Sequence, residues 1–121
     1  MRMKAALLLG AAAWLGVLLA LAGQARAAED EGKALLQKSD CFACHQVDSK
    51  LVGPAYKDVA KKYAGDKEAL PKLVKKVKEG GAGNWGQVPM APHPQLSDED
   101  LTKMVQWVLA QKPAKAKKKK A

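Results

Sequence analysis

The sequence predicts an all-α fold built from one small domain. Two segments repeat apolar residues at the spacing of one helix face, and no segment has a convincing strand pattern. The chain has 121 residues, a length that supports a single domain. Short helices packed into one core are therefore expected.

The first 27 residues have the layout of a secretory signal peptide. Arg2 and Lys4 give a positive start, residues 5–22 are apolar or Gly throughout, and an A-x-A sequence ends at Ala27. We therefore predict cleavage after Ala27 and export to the periplasm. The alternative is a retained membrane helix, because an apolar run of 18 residues is just long enough to span a bilayer. The domain is exported in either case.

Removal of residues 1–27 leaves 94 residues, which divide into a domain at 28–112 and a lysine-rich tail at 113–121. The removed segment carries three of the 21 basic residues and none of the 12 acidic ones, so an excess of six positive charges remains. We expect the tail to be disordered, because its like charges repel one another. A domain of this size buries only about 60–65% of its chain surface, so another component is expected to contribute to the core.

Three helices are predicted before residue 80. The first covers residues 31–39, with leucines on one side and charges elsewhere, and the second is a turn or two over 58–63. The third begins near Ala69, because Pro71 is tolerated only in the first turn of a helix. Gly80 ends it. Its apolar stripe consists of Leu70, Leu73, Val74 and Val77.

The last predicted helix has the clearest signals. Ser97 can cap it, and the three acidic residues at 98–100 lie in the first turn, where the helix dipole favours negative charge. Its apolar stripe consists of Leu101, Met104, Val105, Val108 and Leu109. Residues 80–96, before this helix, have no periodicity and are predicted to form a loop. A loop of this length in so small a domain is usually functional or covers something.

A Cys-x-x-Cys-His motif at residues 41–45 is the strongest chemical signal, and it contains both cysteines of the chain. This motif predicts covalent haem attachment. Two thiols three residues apart on a tight helical turn can reach the two vinyl groups on one edge of the porphyrin. His45 follows directly, which positions its imidazole to bind the iron. We therefore predict one haem c, attached through Cys41 and Cys44.

Three other uses of these cysteines are less consistent with the sequence. A disulfide of the thioredoxin type needs a preceding strand and a βαβ surround, and neither is predicted. A zinc site needs four ligands, whereas the chain offers two cysteines and two histidines, and the adjacent Cys44 and His45 rarely both reach one tetrahedral metal. A free dithiol in an exported protein is prone to oxidation.

Met90 is the predicted second axial ligand of the iron. Electron-carrying haems often combine a His with a Met ligand, which raises the reduction potential. Met104 is the other candidate after residue 27, but it lies on a helix stripe, where Met usually packs in the core. Met90 lies between two prolines that stiffen the loop. His93 is interpreted as an exposed loop residue, or alternatively as a substitute ligand when the loop is disturbed.

Four segments together resemble the small bacterial class I cytochromes c. These segments are residues 41–45, 52–60, 83–86 and 88–90. The resemblance extends over roughly residues 31–112 and implies an all-α fold wrapped around haem, with the first and last helices crossing. It also implies that Pro54 offers its carbonyl oxygen to Nδ1–H of His45, and that Trp85 directs its indole N–H to a haem propionate. Core packing is the alternative role for Trp85.

The resemblance implies a soluble periplasmic carrier of single electrons. An iron with both axial positions filled has no open site for a substrate, which favours outer-sphere transfer between Fe(II) and Fe(III) and argues against an enzyme. An enzyme or gas sensor is the alternative, and it would need a labile or absent bond from Met90.

Redox proteins are the expected partners of this carrier, which we expect to be a monomer. A respiratory complex, a terminal oxidase and a nitrogen-oxide reductase are all compatible. Acidic docking surfaces are expected, because lysines cover the domain; a solvated face without a docking role is the alternative. These lysines are Lys50, Lys57, Lys61, Lys62, Lys72, Lys75, Lys76 and Lys78. The tail is expected to have no role beyond solubility; the alternative is weak contact with anionic lipid, at about 1 kcal/mol per lysine, and no nucleic-acid partner is expected.

Overall fold

The computed structural model of the protein describes residues 9–111, and the lysine-rich tail predicted at 113–121 lies outside them. The elements in chain order are α1 (Leu9–Lys38), a 3₁₀ turn (Cys41–Ala43), α2 (Tyr56–Lys62), α3 (Ala69–Glu79), β1 (Gly81–Gly83), β2 (Gly86–Met90) and α4 (Asp98–Leu109). The fold is mainly helical, as predicted. Among the described residues, no helix combines the length and hydropathy that a membrane crossing requires.

The two strongest helix predictions agree with the structure. The third predicted helix is α3, which begins at Ala69 and is followed by Gly80 at a positive φ of 65°. The last is α4, and the Oγ of Ser97 accepts a hydrogen bond from the N–H of Asp100 at 3.1 Å, which caps it. The predicted helix at 31–39 is the final part of the longer α1, and α2 begins two residues earlier than predicted.

The prediction that residues 80–96 form a loop without strands is wrong. Within this segment β1 and β2 form an antiparallel hairpin, in which Gly81 lies opposite Met90 and Gly83 opposite Gly86. All residues of both strands except Met90 are exposed. Since neither face of the hairpin is buried, the sequence has no alternation of apolar and polar residues to indicate it. Gly83 and Gly86, which flank the turn, have positive φ values, as does Gly81 at the start of β1.

The terminal helices α1 and α4 cross at Gly32. A Cβ at this position would lie 2.6 Å from the carbonyl oxygen of Lys103 and 2.8 Å from the Cβ of Trp107, so only glycine allows this approach. The Lys103 ammonium bonds Glu31 on α1 at 2.9 Å and Glu99 on α4 at 3.0 Å. The crossing of the first and last helices is therefore confirmed.

The core lies between α1, α2 and α4. Its buried residues are Leu36, Tyr56, Val59, Leu101, Met104, Trp107 and Val108. In contrast, all four residues of the α3 stripe are only half-buried, although three of them pack against this core. The strongly amphipathic helix α3 thus keeps part of its apolar face uncovered by protein.

Candidate functional site

The Cys-x-x-Cys-His motif forms a single tight turn after α1. Asp40 has the left-handed conformation, with φ of 57°, and redirects the chain into the 3₁₀ turn. The N–H groups of Cys44 and His45 both donate to the carbonyl oxygen of Cys41, at 3.2 and 3.0 Å. This turn fixes the spacing of the two thiols and of the imidazole.

Both cysteines are free thiols with different surroundings. Cys44 is exposed, whereas Cys41 is half-buried and its Sγ lies 3.7 Å from the carbonyl oxygen of Ser39. Burial raises the pKa of the Cys41 thiol above its ordinary value, and the nearby charge of Asp40 raises it further.

A second stretch of chain is hydrogen-bonded to the motif. The N–H groups of Gly53, Tyr56 and Lys57 donate to the carbonyl oxygens of Cys44, Gln46 and Val47, at 2.8, 2.9 and 3.1 Å. The Lys57 ammonium also pairs with Asp48. These contacts close the loop at 48–52 and hold residues 53–57 against the histidine.

The imidazole of His45 is fixed by this second stretch. Its Nδ1 lies 2.8 Å from the carbonyl oxygen of Pro54. A carbonyl oxygen only accepts hydrogen bonds, so Nδ1 carries the proton and Nε2 keeps its lone pair for a metal. A Cβ at Gly53 would lie 2.8 Å from Nδ1 and 2.9 Å from Nε2 of His45, so a glycine is needed beside the ring.

Met90 is the last residue of β2 and is half-buried. The hairpin returns closely against the end of α3: a Cβ at Gly80 would overlap the carbonyl oxygen of Met90 and lie 2.8 Å from the backbone nitrogen of Pro92. Met104, the competing candidate, is 2% exposed in the core cluster of α4. Of the two methionines, only Met90 lies at the margin of the core.

Two other residues predicted to matter lie on or after the hairpin. Trp85 is 39% exposed, and the Lys62 ammonium lies 4.5 Å from the centroid of its ring while donating to the carbonyl oxygen of Asn84 at 2.8 Å. The N–H of His93 donates to the carbonyl oxygens of Val77 and Lys78, at 3.0 and 3.2 Å. Its Nδ1 is buried, which differs from the exposed side chain predicted, and it has no hydrogen-bond partner within residues 9–111.

The structure thus brings Cys41, Cys44, His45 and Pro54 together through backbone hydrogen bonds. Within the described part of the chain, no hydrogen bond links the side chain of Met90 or Trp85 to this cluster. Sequence reasoning assigned no role to Gly53 or Tyr56, although both contact the ring of His45. Their position in the segment at 52–60, beside Pro54, was the available signal.

Comparison with known proteins identifies the family. A sequence model of the cytochrome c family matches residues 29–112. The chain belongs to the cytochrome c family. Cytochrome c-552 of Nitrosomonas europaea is 45% identical over 104 residues, which cover 83% of this chain and 97% of that protein. Cytochrome c-551 of Pseudomonas aeruginosa is 45% identical over 97 residues, which cover 80% and 88% of the two chains.

Solved structures agree with this membership. The crystal structure of the wild-type Nitrosomonas europaea cytochrome c552 aligns with a TM-score of 0.64 at 46% identity, covering 66% of this chain and 99% of that one. Class 1 cytochrome MtoD of Sideroxydans lithotrophicus ES-1 aligns with a TM-score of 0.60 at 34% identity, covering 68% and 94%. The predicted resemblance to small bacterial class I cytochromes c is confirmed.

The chain therefore carries one covalently attached haem c and transfers electrons through it to and from redox partner proteins. Its residues fit this group. The motif presents two free thiols beside an imidazole whose Nε2 lone pair is available. The half-buried stripe of α3 supplies apolar surface that a porphyrin can cover.

Proposed function

We propose that this chain is a periplasmic carrier of single electrons, with haem attached through Cys41 and Cys44 and with His45 and Met90 as axial ligands. The strongest support for the proposal is a contact of His45, the residue directly after Cys44. Its Nδ1 lies 2.8 Å from the carbonyl oxygen of Pro54. This contact orients the imidazole and increases the basicity of Nε2. A nitrogen prepared in this way is suited to a permanent iron ligand.

The haem supplies the Fe(II)/Fe(III) couple, and the protein supplies a fixed environment for it. The two thioethers hold the group at the 3₁₀ turn. Met90 would hold the iron through its thioether, which would favour the reduced iron and raise the potential. Trp85, at the tip of the hairpin, would donate its indole N–H to a propionate, and the Lys62 ammonium over its ring would help to fix it. With His45 and Met90 both bound, the iron would have no site for a substrate, and the protein would act as a carrier and not as an enzyme.

Optical spectra of the purified holoprotein in both oxidation states test this proposal. We expect a covalently bound haem with low-spin spectra and the weak red absorption band of iron–sulfur ligation in the oxidised state. Carbon monoxide should bind the reduced protein only slowly. A colourless protein with two titratable thiols contradicts the haem attachment, and prompt carbon monoxide binding instead supports the alternative of an enzyme or gas sensor.

The docking surface lies, in this proposal, around the exposed edge beside Cys44. Leu51 and Val52 follow the motif and are 46% and 52% exposed. Four of the eight lysines predicted to favour docking are paired with carboxylates: Lys57, Lys72, Lys75 and Lys78. Within residues 9–111 the other four make no ion pair, and they are Lys50, Lys61, Lys62 and Lys76. These unpaired charges are the ones that favour an acidic partner.

Salt dependence of oxidation tests this charge distribution. Stopped-flow oxidation of the reduced protein by anionic ferricyanide should slow by about tenfold between low and high salt, because salt screens the attraction. Added salt should instead accelerate oxidation by cationic tris(phenanthroline)cobalt(III), because it screens the repulsion between this reagent and the protein. Lys50→Gln should weaken both trends more than Lys72→Gln, because Lys50 directly precedes the exposed Leu51 and Val52 of the proposed docking surface, whereas Lys72 lies on α3. A flat salt response with both reagents rejects electrostatic docking.

We propose a periplasmic location for the protein, because residues 1–27 have the layout of a signal peptide. We propose that residues 1–27 are removed on export, and the mass of the mature protein distinguishes this from retention as an anchor. The lysine-rich tail at 113–121 then makes only weak contact with anionic lipid. The mature protein acts as a monomer without nucleic acid.

A further inference from the structure

The ring of Tyr56 stacks on the imidazole of His45. The two ring centroids are 5.2 Å apart and the planes are inclined by 16°, the offset arrangement that aromatic pairs favour. Tyr56 is 5% exposed, and it is the first residue of α2. Its backbone is fixed by the hydrogen bond to the carbonyl oxygen of Gln46. The stack is therefore part of the buried structure and not a surface contact.

Tyr56 is itself held in place by two other aromatic rings. Phe42, within the haem-attachment motif, meets it edge-on at 5.7 Å, and Trp107 of α4 meets it edge-on at 5.8 Å with the planes at 89°. Trp107 also packs against Gly32, where α1 and α4 cross. Rigid aromatic contacts thus run from the crossing of the terminal helices to the histidine.

Each contact of the His45 ring restricts a different motion of the ring. The carbonyl oxygen of Pro54 fixes the direction of Nδ1 but, as one hydrogen bond, limits the tilt of the ring only loosely. Gly53 allows its backbone to approach one side of the ring. The stacked Tyr56 ring opposes tilting, because a change of plane would separate the two faces.

We propose that Tyr56 is a positioning residue that sets the plane of the His45 imidazole at the iron. The inference rests on the proposed function, in which His45 is an axial ligand. The orientation of an axial imidazole plane controls how unpaired electron density is distributed over the porphyrin in the oxidised state. Tyr56 therefore affects the electronic structure of the haem without touching the iron, as residues that orient metal ligands do.

Proton NMR of the oxidised holoprotein tests the inference, because the shifts of the haem methyl groups depend on the orientations of the ligands His45 and Met90, and only His45 is in contact with the Tyr56 ring. Tyr56→Phe keeps the stacked ring and should keep the wild-type order of these resonances. Tyr56→Leu removes the stack and should reorder them or reduce their spread. Val108→Ala is the matched control: it destabilises the same core but lies on α4, so the methyl pattern should stay that of the wild type.

Different results would contradict the positioning role of Tyr56 and the proposed electron-carrier function. A wild-type pattern in Tyr56→Leu overturns the positioning role, as does a changed pattern in Val108→Ala. If Tyr56→Leu does not fold, Tyr56→Met decides, because a flexible unbranched side chain fills the space without a ring face. Absence of haem methyl signals from the wild-type protein instead overturns the proposed function.

Discussion

A variant with Cys41→Ser and Cys44→Ser is expected to be colourless and largely unfolded. The domain is small, and all four apolar residues of the α3 stripe are half-buried in the polypeptide structure. Without a porphyrin against them, their surface stays in contact with water, and the hydrophobic stabilisation of about 25 cal/mol per Å² is lost. Small domains have total stabilities of about 5–15 kcal/mol, so a loss of several kcal/mol removes most of the folded population.

Circular dichroism and urea unfolding measure this effect. The double variant should lose most helical signal and show no cooperative transition. Cys44→Ser alone is the matched control, because Cys44 is exposed and its replacement removes one thioether without disturbing the core. It should retain haem through Cys41 and unfold cooperatively at a lower urea concentration. A double variant with wild-type helicity and a cooperative transition would show that the haem is not needed for the fold.

The parts of the fold that the sequence predicted well are those with a buried face. Helices α3 and α4 have apolar stripes, and the boundaries of α4 are set by Ser97 and its acidic first turn. The hairpin could not be predicted in this way, since its strands are exposed on both faces and depend on glycines with positive φ. Apolar periodicity in the sequence cannot predict a strand whose two faces are both exposed.

The residues of the site also differ in how well the sequence predicted them. Cys41, Cys44 and His45 are adjacent in sequence, so the motif alone indicates their chemistry. The contacts of Gly53 and Tyr56 with His45 depend on a loop of about ten residues folding back, through hydrogen bonds such as that from Gly53 to Cys44. The spacing of residues along the chain does not predict that the rings of Tyr56 and His45 lie in contact.

Met90→Ala is expected to convert the carrier into a protein that binds ligands at the iron. Among residues 9–111, Met90 carries the only thioether at the margin of the core, and its removal should open the position proposed for it at the iron. The reduced variant should bind carbon monoxide promptly, and the iron–sulfur band should disappear. The reduction potential should fall by an amount on the order of 0.1–0.3 V, within the range of about 0.8 V that axial ligands control.

Met104→Ala is the control that separates ligation from packing. Met104 is 2% exposed in the core, so its truncation should destabilise the holoprotein by about 2–5 kcal/mol. Its spectra and its slow reaction with carbon monoxide should nevertheless match those of the wild type. If Met104→Ala loses the iron–sulfur band while Met90→Ala keeps it, the assignment of the ligand is reversed.

His93 and carbon monoxide are the two ligands that could fill the open position in Met90→Ala. Its backbone N–H is bonded to the carbonyl oxygens of Val77 and Lys78, which holds this part of the chain against the end of α3. Breaking this shared hydrogen bond costs about 1 kcal/mol, and moving the ring away would also detach the segment from the end of α3. We expect the anchored backbone to prevail while the domain is folded, so carbon monoxide binds. A bis-histidine spectrum in Met90→Ala that disappears in Met90→Ala/His93→Ala would instead show that His93 is the substitute ligand.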